Sequence, residues 1–351
     1  MTTTISFFEI EKWEEEYLRE KLGKNKSLVL NFFSDPLEKK DVKKIKDSDI
    51  LAVFIYSKIN KNIIRQLPNL KFIATMSTGF DHIDLGECDL KKIQVSNVPF
   101  YGENTVAEHT FALILALSRK IVDSAERTKK GDFELADLRG FDLNGKTLGI
   151  IGFGHIGRHA ARIAKGMGMK ILIFDPNCYD GKLVIKRRMV FMNNLEGLLQ
   201  RSDIISLHAP YNSSTHHLIN SGNIENIKRG AYLINTARGG LVETEALASA
   251  LENGILAGAG LDVFEEENFI KEEKELLSKP FQKKRSLKIA LQNHLLLSHP
   301  KVLVTPHNAF NSEEALLRIL DMTVENIRAF LKGKPKNLVG KIENNNLSKL
   351  R

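Results

Sequence analysis

Cysteine is nearly missing from this chain: two occur in 351 residues, Cys88 and Cys178, with no C-x-x-C spacing. That excludes a disulfide framework and the common zinc-ligand patterns, so no metal site is expected and a reducing cytoplasm is the expected compartment. No apolar run approaches the ~20 residues needed to span a bilayer, which speaks against a membrane protein. The N-terminus, Met1-Thr2-Thr3-Thr4, has no basic flank followed by a long apolar stretch, which argues against a secretory signal. Internal repeats and low-complexity tracts are also lacking. The excess of one charge is modest, 51 basic against 43 acidic residues for a net +8, and basic groups such as Lys283-Lys284-Arg285 are scattered among acids. A nucleic-acid surface wants such residues gathered on one face, so none is expected. The surplus suits a solvated surface that mildly favours anionic substrates.

What is present is patterned for two packed domains. Hydrophobic residues make up 42% and charged residues 27%, which excludes wholesale disorder. Residues 27–33, 50–56 and 70–75 read as buried strands, joined by 3–8 and 93–98, with helical patterns at 9–22 and 60–67 between them. Alternation of this kind predicts a parallel sheet covered on both faces. Residues 103–130 read as one long helix, apolar in its middle, that needs a cover. A second copy of the chain is the expected one. A new series then begins, with strands expected at 147–151, 170–174, 203–207, 231–235, 257–261 and 302–305. Six parallel strands suit a dinucleotide fold. A helix over 312–331 follows, stopped by Gly333-Lys334-Pro335.

Gly152-Phe153-Gly154-His155-Ile156-Gly157 matches G-x-G-x-x-G between an expected strand and an expected helix. Gly152 permits the tight turn, Gly154 lets the backbone approach a pyrophosphate, and Gly157 lets helix and strand pack closely. The helix N-terminus, at His155 and Ile156, offers N–H groups to phosphate. Asp175, just past the strand 170–174, is placed to accept hydrogen bonds from the adenosine ribose. Its charge would repel a 2′-phosphate, so NAD is favoured over NADP despite Arg187 and Arg188 nearby.

Other conspicuous groups follow expected strand ends, the edge at which such sheets bind ligands: His208-Ala209-Pro210, Thr236-Ala237-Arg238-Gly239-Gly240, Asp262 to Glu267, and Pro306-His307-Asn308. Ser77-Thr78-Gly79-Phe80-Asp81, Val106-Ala107-Glu108-His109, the glycine fingerprint, His208-Ala209-Pro210, Asn235-Thr236-Ala237-Arg238-Gly239, Gly260-Leu261-Asp262-Val263-Phe264 and Thr305-Pro306-His307 run over most of residues 50–310, and together they closely resemble the D-isomer-specific 2-hydroxyacid dehydrogenases. The resemblance assigns a working trio to Arg238, Glu267 and His307. Counting five residues on from Asp262 selects Glu267 from the acidic run 265–267. The chemistry agrees: a 2-oxo acid needs a proton donor (His307), an imidazole needs a carboxylate to hold it (Glu267), and a carboxylate substrate suits a guanidinium fork (Arg238). The resemblance further implies cofactor contacts from His208, Ala209, Pro210, Thr236, Ala237, Arg238 and Asp262, and substrate contacts from Tyr56, Gly79 and Tyr101 beside Arg238.

The implied fold is α/β, with two doubly wound parallel-sheet domains: a Rossmann NAD-binding domain over 101–305 and a discontinuous, flavodoxin-like substrate domain over 1–100 and 306–335, with 336–351 as a tail. The implied assembly is a homodimer through 103–130. Within the family the likeness is nearest to D-lactate dehydrogenases, on Tyr101, on the long segment between Glu267 and His307, and on Asn268 where many relatives have proline. Pyruvate is thus the expected substrate, with hydroxypyruvate or glyoxylate as alternatives. An NADH-binding corepressor-like scaffold is the alternative from another functional class.

Overall fold

The computed structural model describes residues 2–177, 189–265 and 284–340; Cys178, Arg187, Arg188 and Glu267 lie outside the described residues. The chain divides into two compact units, Met1–Tyr101 with Ser312–Arg351, and Gly102–Asn311. Residues 306–311, which carry His307, thus cluster with the second unit.

The first unit is built on strands β1 (Thr3–Phe7), β2 (Leu28–Phe32), β3 (Ile50–Val53), β4 (Phe72–Thr75) and β5 (Gln94–Ser96), with helices α1 (Lys12–Leu22), α2 (Lys61–Ile64) and α3 (Leu85–Lys91) between them. The strands pair in parallel in the order β2-β1-β3-β4-β5, the flavodoxin-like arrangement. Every residue of β3 and β4 is buried, as expected of a parallel sheet covered on both faces. One core gathers Phe8, Leu51, Val53, Ile73 and Val95 with Ile63, Ile64 and Cys88 from the helices. Burial pushes the Cys88 thiol up to about 12, so it behaves as a small apolar group rather than a nucleophile.

Glu9, two residues past β1, takes a left-handed conformation (φ 61°), where an amphipathic helix was expected to begin. Its carboxylate takes the N–H groups of Phe54 and Tyr56, and the helix starts only at Lys12 behind a Glu11–Glu14 capping box. The chain returns to this unit through helix α10 (Glu313–Leu331), capped by Ser312 on the Ala315 amide, and a two-residue strand β13 (Leu338–Val339). β13 pairs antiparallel with β5, so the sheet takes in two residues of the stretch expected to be a tail.

The second unit opens with α4 (Glu103–Ser118) and α5 (Ile121–Lys129), not one helix. The break is made by the chain that returns to the helix end. The Ser118 carbonyl accepts the Phe141 N–H at 2.9 Å, and Lys120 turns left-handed (φ 53°). A Cβ on Gly140 would stand 2.1 Å from that same carbonyl, so the returning chain docks where the helix stops. The sheet follows: β6 (Thr147–Ile151), β7 (Lys170–Phe174), β8 (Met189–Phe191), β9 (Ile204–Leu207), β10 (Ala231–Asn235), β11 (Leu256–Leu261) and β12 (Val302–Val304). Helices α6 (His155–Gly166), α7 (Leu195–Arg201), α8 (Thr244–Glu252) and α9 (Lys284–Leu297) connect them. All pairings are parallel, in the order β8-β7-β6-β9-β10-β11-β12. This is the Rossmann arrangement extended by a seventh strand, and the order reverses between β6 and β9. β8 was not foreseen, being three residues long and only half-buried. No helix among the described residues is long and apolar enough to cross a membrane.

Candidate active site

The cofactor end of the second unit is shaped by three glycines. Gly152 turns β6 into the loop at φ 92°, and a Cβ there would meet the His208 carbonyl at 2.6 Å. At Gly157 a Cβ would stand 2.1 Å from the Gly152 carbonyl oxygen, which is how closely α6 packs on β6. Gly154 is the opposite case: nothing lies within 4 Å of its Cβ position, so its surface is open for a ligand to approach. Gly154 caps α6 without any side-chain hydrogen bond, leaving the first-turn amides to an external acceptor. His155 is exposed and 3.6 Å from Glu103, while Ile156 packs against the core.

Asp175 is held by two backbone donors, the Phe153 N–H on Oδ2 at 2.7 Å and the Asn177 N–H on Oδ1 at 2.9 Å. Each oxygen keeps a lone pair for a ribose hydroxyl. The residues present therefore fit a dinucleotide with an unphosphorylated ribose. A further acceptor, Asn308 Oδ1, is buried and has no hydrogen-bond partner among the described residues, a suitable mate for a carboxamide N–H.

Four neighbouring strands deliver the polar groups. His208 follows β9, and its Nε2 lies 2.9 Å from Ser206 Oγ. Burial pushes the imidazole down to about 4, so it is neutral near pH 7. Ala209 packs on the core and Pro210 is exposed, its carbonyl accepting from Thr215. After β10, Asn235 organises the next loop: its Oδ1 accepts the Ala237 N–H and its Nδ2 donates to the Arg238 carbonyl. Arg238 is half-buried, with Nη1 donating to the Ala237 carbonyl at 2.8 Å. The Thr236 hydroxyl bonds Thr110 at 2.9 Å; since Thr110 spends its hydrogen on the Val106 carbonyl, Thr236 is the donor. Thr236 therefore faces any cofactor with its backbone, not its hydroxyl.

Asp262 follows β11 and is buried. It accepts from Thr305 Oγ1, from the Asn308 N–H and from the Ala309 N–H. It thus clamps the turn that carries His307, which sits at φ 56°, a left-handed conformation uncommon for a side-chain-bearing residue. Glu265, the first of the acidic run, is committed elsewhere: it binds His217 Nε2 at 2.8 Å and accepts from the Thr244 hydroxyl. The Glu267 that the spacing from Asp262 selects lies outside the described residues. Arg238 and His307 leave the ends of β10 and β12, with β11 between them, so the sheet brings these two loops within two strand spacings, roughly 10 Å.

In the first unit, the Tyr56 N–H donates to Glu9 Oε1 at 2.8 Å, and burial raises the Glu9 pKa above the ordinary carboxylate value. The Tyr101 carbonyl accepts from Arg318. The loop at Gly79 is set by a hydroxyl chain. Ser77 Oγ donates to the Gly79 carbonyl, so Thr75 donates to Ser77 and His82 Nε2 donates to Thr75. Glu9, His82, Asn235 and Gly239 shape these loops, a role that escaped the sequence reading. Only Asn235 and Gly239 had a signal, their place inside a matching segment; Glu9 looked like the first residue of a helix.

Comparison with known proteins agrees with this geometry. A family model described as "D-isomer specific 2-hydroxyacid dehydrogenase, NAD binding domain" matches residues 111–309. A glyoxylate reductase of Thermofilum pendens is 38% identical over 312 residues, covering 87% of this chain and 85% of that protein. A D-lactate dehydrogenase of Curvularia clavata is 34% identical, covering 94% and 93%. The crystal structure of a D-lactate dehydrogenase from Aquifex aeolicus, in complex with NAD and lactic acid, superimposes with a TM-score of 0.80 at 36% identity, covering 94% of this chain and 96% of that one.

Proposed function

The chain belongs to the D-isomer specific 2-hydroxyacid dehydrogenase family and uses NAD, and from that premise we propose that it reduces pyruvate to D-lactate with His307, Arg238 and Glu267 as its working residues. The observation that carries the reading is the clamped, left-handed turn at His307, one strand removed from the Asn235-locked loop of Arg238. Pyruvate is favoured by the likeness to the lactate-bound Aquifex enzyme over 94% of the chain. The long segment between Glu267 and His307 and Asn268 after the glutamate point the same way.

NADH held by the Gly152–Gly157 loop and Asp175 would supply the hydride from its nicotinamide. Arg238 takes the substrate carboxylate in its planar fork and polarises the adjacent carbonyl. As negative charge grows on the carbonyl oxygen, His307 gives it a proton, and takes one back in the reverse direction. Glu267 accepts a hydrogen bond from the imidazole and favours its charged form. Asp262 fixes the turn below. In this reading the first unit is the substrate domain, and Tyr56, Tyr101 and the Gly79 backbone N–H contact the substrate.

The 38% identity to a glyoxylate reductase supports a second reading, reduction of glyoxylate or hydroxypyruvate by the same groups. Steady-state rates over pyruvate, glyoxylate, hydroxypyruvate and longer 2-oxo acids, with chiral analysis of the product, separate the two. Pyruvate is expected to have the highest kcat/KM and to give the D-isomer. A faster glyoxylate reaction moves the substrate and keeps the mechanism. An L-product refutes the family chemistry, and NADH binding without turnover of any acid points to a corepressor-like scaffold.

The assembly in this reading is a homodimer through α4 and α5. Ile121 and Val122 on α5, and Phe133 and Leu135 just beyond it, all leave large apolar side chains exposed, the last two at 77% and 81%. Sedimentation at micromolar concentration is expected to give twice the chain mass of 39.6 kDa; the mass of one chain rules the dimer out.

A further inference from the structure

His109 lies on α4, 196 residues before its hydrogen-bond partner Thr305. Its Nε2 is 3.1 Å from Thr305 Oγ1 and 3.5 Å from Asp262 Oδ1. Counting hydrogens fixes the direction of each bond. A threonine hydroxyl has one hydrogen, and a carboxylate only accepts. The 2.5 Å contact between Thr305 Oγ1 and Asp262 Oδ1 therefore uses the Thr305 hydrogen. Thr305 Oγ1 then only accepts from His109, and His109 Nε2 must carry a hydrogen. At the far end Asp262 receives the Asn308 N–H on Oδ1 at 3.0 Å and the Ala309 N–H on Oδ2 at 2.9 Å.

We propose that His109 is a positioning residue for His307, acting through the chain His109 Nε2–H to Thr305, Thr305 O–H to Asp262, and Asp262 to the two amides that follow His307. The chain has a physical task. A buried carboxylate that keeps only two backbone donors has lost part of the hydrogen bonding that compensates its burial. A non-glycine residue at φ 56° is also intrinsically disfavoured, so the turn at His307 persists only while its surroundings hold it. Hydrogen bonds in series polarise one another, so a donor at the head strengthens the grip at the tail. Asp262 is thereby able to hold the left-handed turn in a fixed register, and the imidazole with it. The inference rests on His307 being the proton-transfer group.

Two pairs of variants test it. His109→Phe keeps a ring and removes the donor, whereas His109→Gln returns an N–H near the Nε2 position. Thr305→Val and Thr305→Ser repeat the contrast at the next link. With the 2-oxo acid turned over fastest by the parent enzyme, the Phe and Val variants are expected to lose between about tenfold and a hundredfold in kcat. Their Kd for NADH, read by fluorescence, should stay within about threefold, since the Gly152–Gly157 loop and Asp175, which fit the pyrophosphate and ribose, are untouched. The Gln and Ser variants should recover to within about threefold of the parent rate. Hydrogen–deuterium exchange of the peptide spanning 306–311 should speed up by about tenfold or more in the Phe and Val variants alone. Unchanged exchange in both, or equal rate losses for Phe and Gln, overturns the positioning role. Faster exchange with an unchanged kcat leaves the hydrogen-bond chain standing and removes His307 from the proton transfer instead. If His109→Phe does not fold, Thr305→Val decides the matter by the same readings.

Discussion

Replacing His307 by asparagine is expected to lower kcat for 2-oxo acid reduction by about 10²- to 10⁴-fold, the range over which a positioned acid–base group acts. Asparagine is the more telling choice than alanine. The native φ of 56° is one that asparagine tolerates better than most residues, so the Asp262-clamped turn survives while the titratable ring is gone. Alanine removes the ring too, but keeps the strain of about 1–2 kcal/mol that a Cβ meets at a left-handed position, which asparagine partly relieves. The two variants should thus share the loss in turnover and differ in melting temperature, alanine being the lower. NADH affinity should change little in either, because Gly152, Gly154, Gly157 and Asp175 are untouched. If both variants kept a kcat within about fivefold of the parent, a loss well below the range for acid–base catalysis, His307 would not be the proton donor.

Gly239→Ala should be the most damaging conservative change in the second unit. A Cβ at that position would stand 1.9 Å from the Phe264 carbonyl carbon, 2.0 Å from its oxygen and 2.3 Å from the Glu265 nitrogen. These are backbone atoms, so no side chain can swing aside. Neither partner is free to retreat. The Arg238 loop is tied to the Asn235 side chain, and Glu265 is tied to His217 and Thr244. Overpacking of this kind costs about 3 kcal/mol or more, which for a unit of this size lowers the melting temperature by roughly 6–12 °C. In the proposed reading, parting the two segments also moves Arg238 relative to the substrate carboxylate, so kcat/KM should fall on the order of a hundredfold. Thermal melts and steady-state rates check both. A melting temperature within about 2 °C of the parent, below the shift expected for even 1 kcal/mol, would mean that this close approach does not exist.

The parts of this molecule legible in its sequence are those written locally. The glycine fingerprint falls within six residues, and its strand and helix announce themselves by periodicity on either side. The four strand-end clusters were legible because a parallel sheet sends all its strand ends to one edge whatever the loops do between them. What stayed hidden depends on partners distant in the chain. His109 and Thr305 are 196 residues apart, and nothing about a histidine on an amphipathic helix reveals what it will meet. Glu9 looked like the start of a helix because its task, holding the amides of residues 54 and 56, is set by a loop 45 residues later. The break between α4 and α5 was invisible for the same reason. No proline or glycine marks residues 118–120; the carbonyl of Ser118 is drawn off by Phe141. β8 and β13 are too short for periodicity to register.

The division of the chain into a continuous piece and a split one bears on how the protein is made. A ribosome that has just added residue 311 has supplied all of the Gly102–Asn311 unit, whose described strands pair only with one another. The N-terminal sheet at that moment still lacks α10, which packs on β4 and α1, and its edge partner β13. Once the inserted piece has condensed, the spacer that the two halves must bridge shrinks from about two hundred loose residues to one compact body. The entropy of bringing them together, which for a flexible loop grows with the logarithm of its length, is lowered accordingly.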